Sequence, residues 1–170
     1  MTDIPEDALV ESWESVHTHS VKLAKLIRQH CQDTGEKFDG IIVIPRGGYY
    51  PANIVARELG FEAVRLLNAS IGSYRSGETS RQAQFELGQM PSKADVQSKN
   101  LLIIDEVCDT GNTLDFLIKW LKDQGAGQVR SGVLHYKPQQ SQTGYKPDWY
   151  VVQTDKWIVY PWESHESSPS

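Results

Sequence analysis

The chain has 170 residues, of which 39% are hydrophobic and 23% charged, and its formal net charge is −5 at pH 7. This length and composition predict one folded domain with a hydrophobic core and exclude a disordered chain. The negative charge argues against broad nucleic-acid binding, which usually shows a basic face, so we expect no nucleic-acid partner. No apolar run approaches the ~20 residues needed to span a bilayer.

The chain ends and the cysteines bear on domain organisation and location. Residues 1–11 are polar and acidic and lack the apolar segment of a secretory signal, so we expect a cytoplasmic protein. Cys31 and Cys108 lie far apart without metal-type spacing, which fits a reducing compartment. We expect a single domain over 1–170, with flexible ends at 1–11 and 164–170.

Helix and strand patterns alternate along the first half of the chain. Apolar residues at helical spacing predict an amphipathic helix over 15–31. The β-branched run at 41–45 predicts a buried strand. The helix after it has Pro51 near its first turn and ends at Gly60. Residues 62–70 predict a second strand.

The segment 71–99 differs from its surroundings. It is polar, shows little periodicity, and contains Gly72, Gly77, Gly88 and Pro91. A stretch of this length inside a compact domain is usually a lid, a small hairpin or a disordered loop. We therefore expect a flexible hood in this region.

The second half completes an α/β pattern. LLII at 101–104 is the strongest strand prediction, a helix follows around 114–121 with Gly125 as its stop, and 128–136 and 148–154 predict further strands. Strands that alternate with helices predict an α/β fold, a mostly parallel sheet flanked by helices. Ligands of such sheets bind beyond the carboxyl ends of the strands. The loops at those ends are 45–50, 105–113 and 136–140.

The loop after LLII carries the strongest chemical pattern. Asp105 and Glu106 follow the apolar run, and such paired carboxylates can accept hydrogen bonds from ribose hydroxyls or help hold a metal ion. The next residues, DTGNT, lead into a helix, whose N-terminal N–H groups suit a phosphate. Gly111 allows close backbone approach, and Thr110 and Thr113 add hydroxyl donors. DTGNT alone is equally typical of a capped surface helix, but its combination with the strand and the acids favours a phosphate site.

Four apolar residues, two acids, two variable residues and Asp-Thr-Gly-x-Thr together resemble the phosphoribosyl pyrophosphate motif of type I phosphoribosyltransferases. The usual second Asp of that motif is Glu106 here. The resemblance implies that Asp105 and Glu106 face the ribose hydroxyls, with Glu106 also near Mg²⁺. The implied cradle for the 5′-phosphate is Asp109, Thr110, Gly111, Asn112 and Thr113.

Asp109 is the candidate catalytic residue within this motif. Its side chain would point toward the base from the phosphate loop and take the proton from the purine imidazole nitrogen. The alternative is that Asp109 only caps the helix or positions the loop.

The stretch IIVIPRGGYYPANIVARELG resembles the pyrophosphate loop and following helix of xanthine-guanine phosphoribosyltransferases. Arg46 can give bidentate hydrogen bonds to pyrophosphate oxygens, and Gly47 and Gly48 expose backbone N–H groups. A tight turn with a solvated arginine is the alternative. Pro45 stands where the family often has a small residue.

The C-terminal motifs HYKPQ and TDKWIVYPWE resemble the base-binding part of the xanthine-guanine and hypoxanthine group. The resemblance implies that Lys137 donates to the exocyclic oxygen of a 6-oxopurine, that Trp157 stacks on the purine, and that backbone near Ile158 meets the base edge. Ser73 and Tyr74 match a Ser-Tyr pair that covers the substrate in related enzymes. Their alternative is a merely mobile loop.

The resemblance spans about residues 13–163 and implies a purine salvage enzyme. It would use phosphoribosyl pyrophosphate, a purine base and Mg²⁺, and act as a homodimer or homotetramer. A phosphoribosyltransferase for another base, and a non-catalytic regulator that senses phosphoribosyl pyrophosphate, remain as alternatives. The sequence does not rank hypoxanthine, guanine and xanthine.

Overall fold

The computed structural model describes residues 4–74 and 84–163, and it contains the alternating helices and strands that the sequence predicts. The elements in the first half are β1 (Leu9–Val10), α1 (Trp13–Thr34), β2 (Gly40–Val43), α2 (Tyr49–Leu59), β3 (Leu66–Asn68) and β4 (Ile71–Tyr74). Those in the second half are β5 (Gln84–Leu87), α3 (Lys93–Val96), β6 (Leu101–Cys108), α4 (Asn112–Asp123), β7 (Val129–Tyr136), β8 (Trp149–Gln153) and β9 (Ile158–Val159).

The main sheet has five strands in the order β3-β2-β6-β7-β8, and every neighbouring pair is parallel. This confirms the prediction of a mostly parallel sheet flanked by helices. Because β6 lies between β2 and β7, the loops that follow these three strands emerge side by side at one edge of the sheet. The edge where ligands bind in such folds therefore collects all three loops that carry the sequence motifs.

Both faces of the sheet are buried, which explains why its central strands read as continuous apolar runs. In β6, Leu102 and Ile104 pack into the core formed with α1 and α2. The alternate residues Leu101 and Ile103 pack into a second core under α4. The alternation follows from the two-residue period of a strand.

Helix α1 is longer than the predicted 15–31. It begins two residues earlier because Ser12 and Ser15 form a reciprocal capping box, with Ser15 in the place where Glu or Gln is more usual. It continues through polar residues until Gly35, whose φ of 76° gives the left-handed C-cap. The cap residues, rather than the apolar pattern, set its length.

The predicted hood region divides into two parts. Strands β4 and β5 form an antiparallel pair, in which Phe85 stacks on Phe116 of α4 with ring centroids 4.3 Å apart. Residues 75–83 lie outside the described residues. The second part, expected as hood up to residue 99, instead contains α3, whose Val96 is fully buried in the core.

The amino-terminal segment also differs from expectation. We expected a loose chain over 1–11, but β1 pairs in parallel with β9, and Glu11 is only 6% exposed. The sequence does not predict this pairing, because a strand of two residues is too short to show the alternation of polar and apolar residues. The predicted tail 164–170 lies outside the described residues. Within the described part of the chain, no helix is both long and apolar enough to cross a membrane.

Candidate active site

The loop after β2 lies directly against the acidic end of β6. A Cβ atom on Gly47 would collide with the Glu106 carboxylate, and one on Gly48 would lie 3.1 Å from Asp105 Oδ1 and collide with the Ile44 carbonyl oxygen. Glycine is therefore required at Gly48, where the clash is with backbone, whereas at Gly47 the Glu106 side chain would have to move away. The structure thus brings together the predicted Arg-Gly-Gly loop and the predicted acid pair. The peptide bond that joins Pro45 to Arg46, at the start of this loop, is cis.

The acid pair lies within β6 rather than after it. The strand continues to Cys108, past the predicted end at 104, because its ladder to β7 also continues there. Asp105 is 8% exposed, and its Oδ1 accepts a hydrogen bond of 2.9 Å from the Glu106 N–H. Burial raises the pKa of the Asp105 carboxyl well above its ordinary value, and the neighbouring Glu106 charge raises it further.

Glu106 supplies the clearest sign of a ligand. Its Oε2 is buried and has no hydrogen-bond partner among the residues that the structure describes. Unpaired buried oxygens are costly, and each one calls for an explanation such as an ion. Two adjacent carboxylates offer the hard oxygen ligands that Mg²⁺ takes, with substrate and water completing its shell. The residues present therefore fit a divalent cation.

The loop between β6 and α4 is open for an anion. Gly111 is the N-cap of α4 with φ 80° and has no side chain to cap the helix, while the Asn112 N–H donates to the Thr110 hydroxyl oxygen at 3.3 Å. The loop is held by Gln142, whose N–H donates to the Thr110 carbonyl oxygen (2.8 Å) and whose Oε1 accepts from Asn112 Nδ2 (2.9 Å). A cavity of about 290 Å³ borders this end. Its lining includes Asp105, Asp109, Thr110, Gly111 and Thr113.

Asp109 and Lys137 come from separate motifs and meet in space. The Lys137 backbone N–H donates to the Cys108 carbonyl oxygen (2.9 Å), which places the end of β7 beside the phosphate loop. Lys137 Nζ then lies 3.8 Å from Asp109 Oδ2. The Lys137 side chain is 11% exposed and that of Asp109 is 51% exposed, so the pair lines an accessible rim with the carboxylate outermost.

Trp157 and Ile158 lie where β9 pairs with β1. The Leu9 N–H donates to the Trp157 carbonyl oxygen at 2.8 Å, and the register pairs Leu9 with Ile158. In a parallel ladder of this register, the Ile158 N–H and C=O point away from β1, as a contact with a base edge requires. The Trp157 side chain is 53% exposed.

The hood motif is described only in part. Ser73 and Tyr74 form the end of β4, and their side chains lie outside the described residues. The base of the hairpin and the loop after β2 enclose a cavity lined in part by Arg46, Ile71 and Leu87. The hood therefore starts next to the predicted pyrophosphate loop.

Sequence reasoning missed an aromatic stack beside the site. Tyr50 stacks on Trp162 at 4.3 Å, and Trp162 stacks on Tyr160 at 4.6 Å. Tyr50 and Trp162 line a cavity of about 360 Å³ together with Arg46 and Glu106. The only signal available was the aromatic content of YPWE, which does not reveal a partner on α2.

The sheet order, the two loops that meet at the end of β6 and the open helix end together define the type I phosphoribosyltransferase fold. The structure is similar to the crystal structure of a purine phosphoribosyltransferase from Pyrococcus horikoshii, with a TM-score of 0.76 at 30% identity, covering 96% of this chain and 99% of that one. It is also similar in fold to a xanthine-guanine-hypoxanthine phosphoribosyltransferase from Helicobacter pylori, with a TM-score of 0.74 at 23% identity, covering 92% and 94% of the two chains.

Sequence comparison gives the family. The phosphoribosyl transferase domain matches residues 12–167, and the chain belongs to the phosphoribosyltransferase family. A curated relative, the xanthine-guanine phosphoribosyltransferase of Idiomarina loihiensis, is 30% identical over 156 residues, which is 91% of this chain and 86% of the relative. The predicted family and fold are therefore confirmed.

Proposed function

We propose that this chain is a purine salvage enzyme that transfers the phosphoribosyl group from phosphoribosyl pyrophosphate to a 6-oxopurine. The products are the nucleoside monophosphate and pyrophosphate. The observation that carries the proposal is the buried Glu106 oxygen without a partner among the described residues, beside Asp105 and directly before the uncapped end of α4. The similarity to relatives named as xanthine-guanine and purine phosphoribosyltransferases supports the class of base.

Three groups would hold the sugar donor. The carboxylates of Asp105 and Glu106 would accept hydrogen bonds from the ribose hydroxyls. The amides and hydroxyls of residues 109–113 would hold the 5′-phosphate at the start of α4. The Arg46 guanidinium and the N–H groups of Gly47 and Gly48 would bind the pyrophosphate.

Phosphoribosyltransferases generally use a divalent metal ion. We propose that it is Mg²⁺ here, held by Glu106 with Asp105 beside it, because hard oxygen ligands suit this ion. When bound, the ion neutralises charge on the pyrophosphate as it leaves.

The transfer breaks the bond between the ribose C1 and the pyrophosphate oxygen and forms a bond from C1 to the purine nitrogen. The pyrophosphate leaves with the electron pair, and Asp109 takes the proton from the attacking base. Lys137, 3.8 Å from Asp109, would donate to the purine exocyclic oxygen. An adenine amino group would instead face a second donor, so this contact selects oxopurines.

The remaining predicted residues would position and enclose the base. Trp157 would stack on the purine ring, and the Ile158 backbone would meet its edge. Ser73 and Tyr74 would close over the donor, because excluding water limits hydrolysis of the activated sugar.

The test is a panel of bases with phosphoribosyl pyrophosphate and Mg²⁺, with nucleotide and pyrophosphate measured by chromatography. We expect product from hypoxanthine, guanine or xanthine, none from adenine or orotate, and little from an Asp109→Asn control. Product from adenine or orotate in place of the oxopurines would favour the alternative base specificity. Binding of the donor with no product from any base would favour the regulator.

We propose a homodimer or homotetramer and a cytoplasmic location. Trp13 at the start of α1 and Tyr49 and Tyr50 at the start of α2 are exposed aromatic side chains, and they support a subunit interface where these two helices begin. Both cysteines are free, which fits a reducing compartment. Sedimentation of the purified chain, compared with a Tyr49→Ser variant, tests the assembly.

A further inference from the structure

Three side chains that the proposed transfer reaction does not use converge near the carboxyl end of β7, and we name them the Glu11–His19–His135 cluster. Glu11 follows β1, His19 lies on α1, and His135 lies in β7. One ligand-type atom from each residue lies within 4.8 Å of the others. A single oxygen, Glu11 Oε1, lies 2.9 Å from His135 Nε2 and 3.6 Å from His19 Nε2.

The second oxygen of Glu11 is already occupied. Its Oε2 accepts a hydrogen bond from the Ser15 hydroxyl in the first turn of α1. Oε1 is therefore the oxygen that faces both imidazoles, and Glu11 is oriented as a one-oxygen ligand. Carboxylates that bind transition metals are held in this way by outer hydrogen bonds.

The hydrogen bonds of His135 allow a tautomer in which the ring turns a lone pair toward Glu11. The Tyr160 hydroxyl lies 3.2 Å from the Glu106 carbonyl oxygen, which can only accept. If Tyr160 donates there, its oxygen must accept from His135 Nδ1, 2.9 Å away. In that neutral tautomer His135 Nε2 turns a lone pair toward the Glu11 oxygen 2.9 Å away, and a cation between the two acceptors would satisfy both.

The opposite tautomer satisfies these groups less completely. The His135 side chain is fully buried. Without an added cation, the neutral ring can carry its proton on Nε2 and donate to Glu11, but Tyr160 must then donate to Nδ1. The Glu106 carbonyl oxygen loses its tyrosine donor in that arrangement.

A metal ion satisfies every group at once. With the proton on His135 Nδ1, the ring donates to Tyr160, Tyr160 donates to Glu106, and Nε2 is free to bind the ion. Two ligand atoms that lie about 2.0–2.1 Å from a tetrahedral zinc ion are about 3.3 Å from each other. The Glu11 oxygen is 2.9 Å from His135 Nε2 and 3.6 Å from His19 Nε2, so each distance would change by a few tenths of an ångström. The His19 side chain is 23% exposed, which leaves a path for entry and for water as fourth ligand.

We propose that Glu11, His19 and His135 bind one divalent transition-metal ion of the zinc class. Two imidazoles and one carboxylate are a ligand set for such ions, whereas the oxygens of Asp105 and Glu106 suit Mg²⁺. The bound ion joins β1, α1 and β7. It also fixes the hydrogen bond from Tyr160 to Glu106, at the edge of the transferase site.

The experiment is a titration of untagged, metal-free protein with Co²⁺ in excess Mg²⁺, which keeps the carboxylate pair occupied. We expect one equivalent of Co²⁺ with the visible absorption of an imidazole-bound four-coordinate ion, displaced by Zn²⁺. Zn²⁺ should also raise the melting temperature of the protein.

His19→Gln removes a partly exposed ligand without opening the core and should weaken Co²⁺ binding at least about tenfold, since even outer-shell partners of metal sites are worth about 10–100-fold. Glu11→Gln should do the same. The control is His17→Gln, an exposed histidine two positions away on α1, which should bind like the wild type. Binding that survives in His19→Gln, falls equally in His17→Gln, or stays below one equivalent in the wild type overturns the proposal.

Discussion

Two carboxylate sites, the Asp105–Glu106 pair and the single carboxylate of Glu11, lie near Tyr160 and differ in what surrounds them. Asp105 and Glu106 face one another in a buried strand, and one Glu106 oxygen is without a partner among the described residues. Glu11 lies between imidazoles and a serine hydroxyl, and each of its oxygens is engaged. Tyr160 contacts both groups, through the Glu106 carbonyl oxygen and the His135 ring.

The difference shows that the neighbours of a carboxylate decide its ligand. Burial and the Glu106 charge disfavour ionisation of Asp105, and we propose that this pair takes a cation and a polyhydroxyl substrate from solution. A carboxylate with two imidazoles already has nitrogen ligands beside it and selects a softer ion. We therefore expect the first arrangement to destabilise the ligand-free protein, and the second, with its proposed ion bound, to stabilise the fold.

The largest expected effect sharpens the functional side of this comparison. Asp109→Asn removes the proton acceptor but keeps the size of the side chain, so we expect kcat to fall by about 10²–10⁴-fold, with KM for the base little changed. Steady-state kinetics with an oxopurine measure both. Asp115→Asn, an acid on the outer face of α4 that pairs with Lys119, is the control. Near-normal kcat in Asp109→Asn would show that this residue only positions the loop.

Lys137→Gln tests base selection at the same rim. The variant should lose about 1–3 kcal/mol of binding to an oxopurine, which is about a 5–150-fold loss in kcat/KM, because the exocyclic oxygen loses a charged donor. The loss should be smaller in kcat/KM measured for phosphoribosyl pyrophosphate at saturating base. Lys119→Gln is the exposed control. Equal losses for both substrates would place Lys137 at the donor rather than at the base.

Asp105→Asn tests whether the strand-end pair destabilises the ligand-free protein. Because the folded state raises the pKa of Asp105, the stability linked to its proton is fully present below the ordinary value of about 3.9 and is lost as pH rises through the folded pKa. The variant cannot ionise, so its free energy of unfolding should increasingly exceed that of the wild type as pH rises above about 4. Urea unfolding across this pH range measures the difference. A pH-independent difference, like that expected for the exposed Asp123→Asn control, would contradict the account.

The smallest expected effect concerns the phosphate loop. Gly111→Ala forces a side chain into φ 80° and brings its Cβ within 2.6 Å of Thr143 Oγ1. Gly60→Ala has nearly the same φ, 79°, in open space, and should cost only the left-handed backbone strain of about 1–2 kcal/mol. Gly111→Ala should cost more in unfolding free energy and should also weaken nucleotide binding. Equal losses of stability in both variants would show that the Thr143 side chain moves away from the new Cβ at no cost in free energy.

Much of the fold follows from local patterns in the sequence. The run LLII predicts the central strand because both faces of that strand are buried, and Gly60 predicts the end of α2 because it adopts the left-handed C-cap. The second strand is less readable. Of the predicted 62–70, residues Ala63–Arg65 form a 3-10 turn, and only Leu66–Asn68 pair with β2.

The site divides in the same way. Asp105 to Thr113 is one continuous segment, so its residues are neighbours along the chain and the motif can be read directly from the sequence. The contact between Asp109 and Lys137 joins two separate segments, and the family resemblance directed both toward the base without predicting that they meet. Glu11 and His135 are 124 positions apart and meet through the β1–β9 pairing, which leaves no local signal.

The central claim is that the turn from Asp105 to Thr113 holds a sugar phosphate at the start of α4. The direct measurement is a crystal structure of the protein with a bound 6-oxopurine nucleoside monophosphate. We predict phosphate oxygens about 3 Å from the amide nitrogens of residues 110–113, with the ribose hydroxyls beside Asp105 and Glu106. A nucleotide bound with its phosphate at another surface, or no bound nucleotide at saturating concentration, would contradict the account.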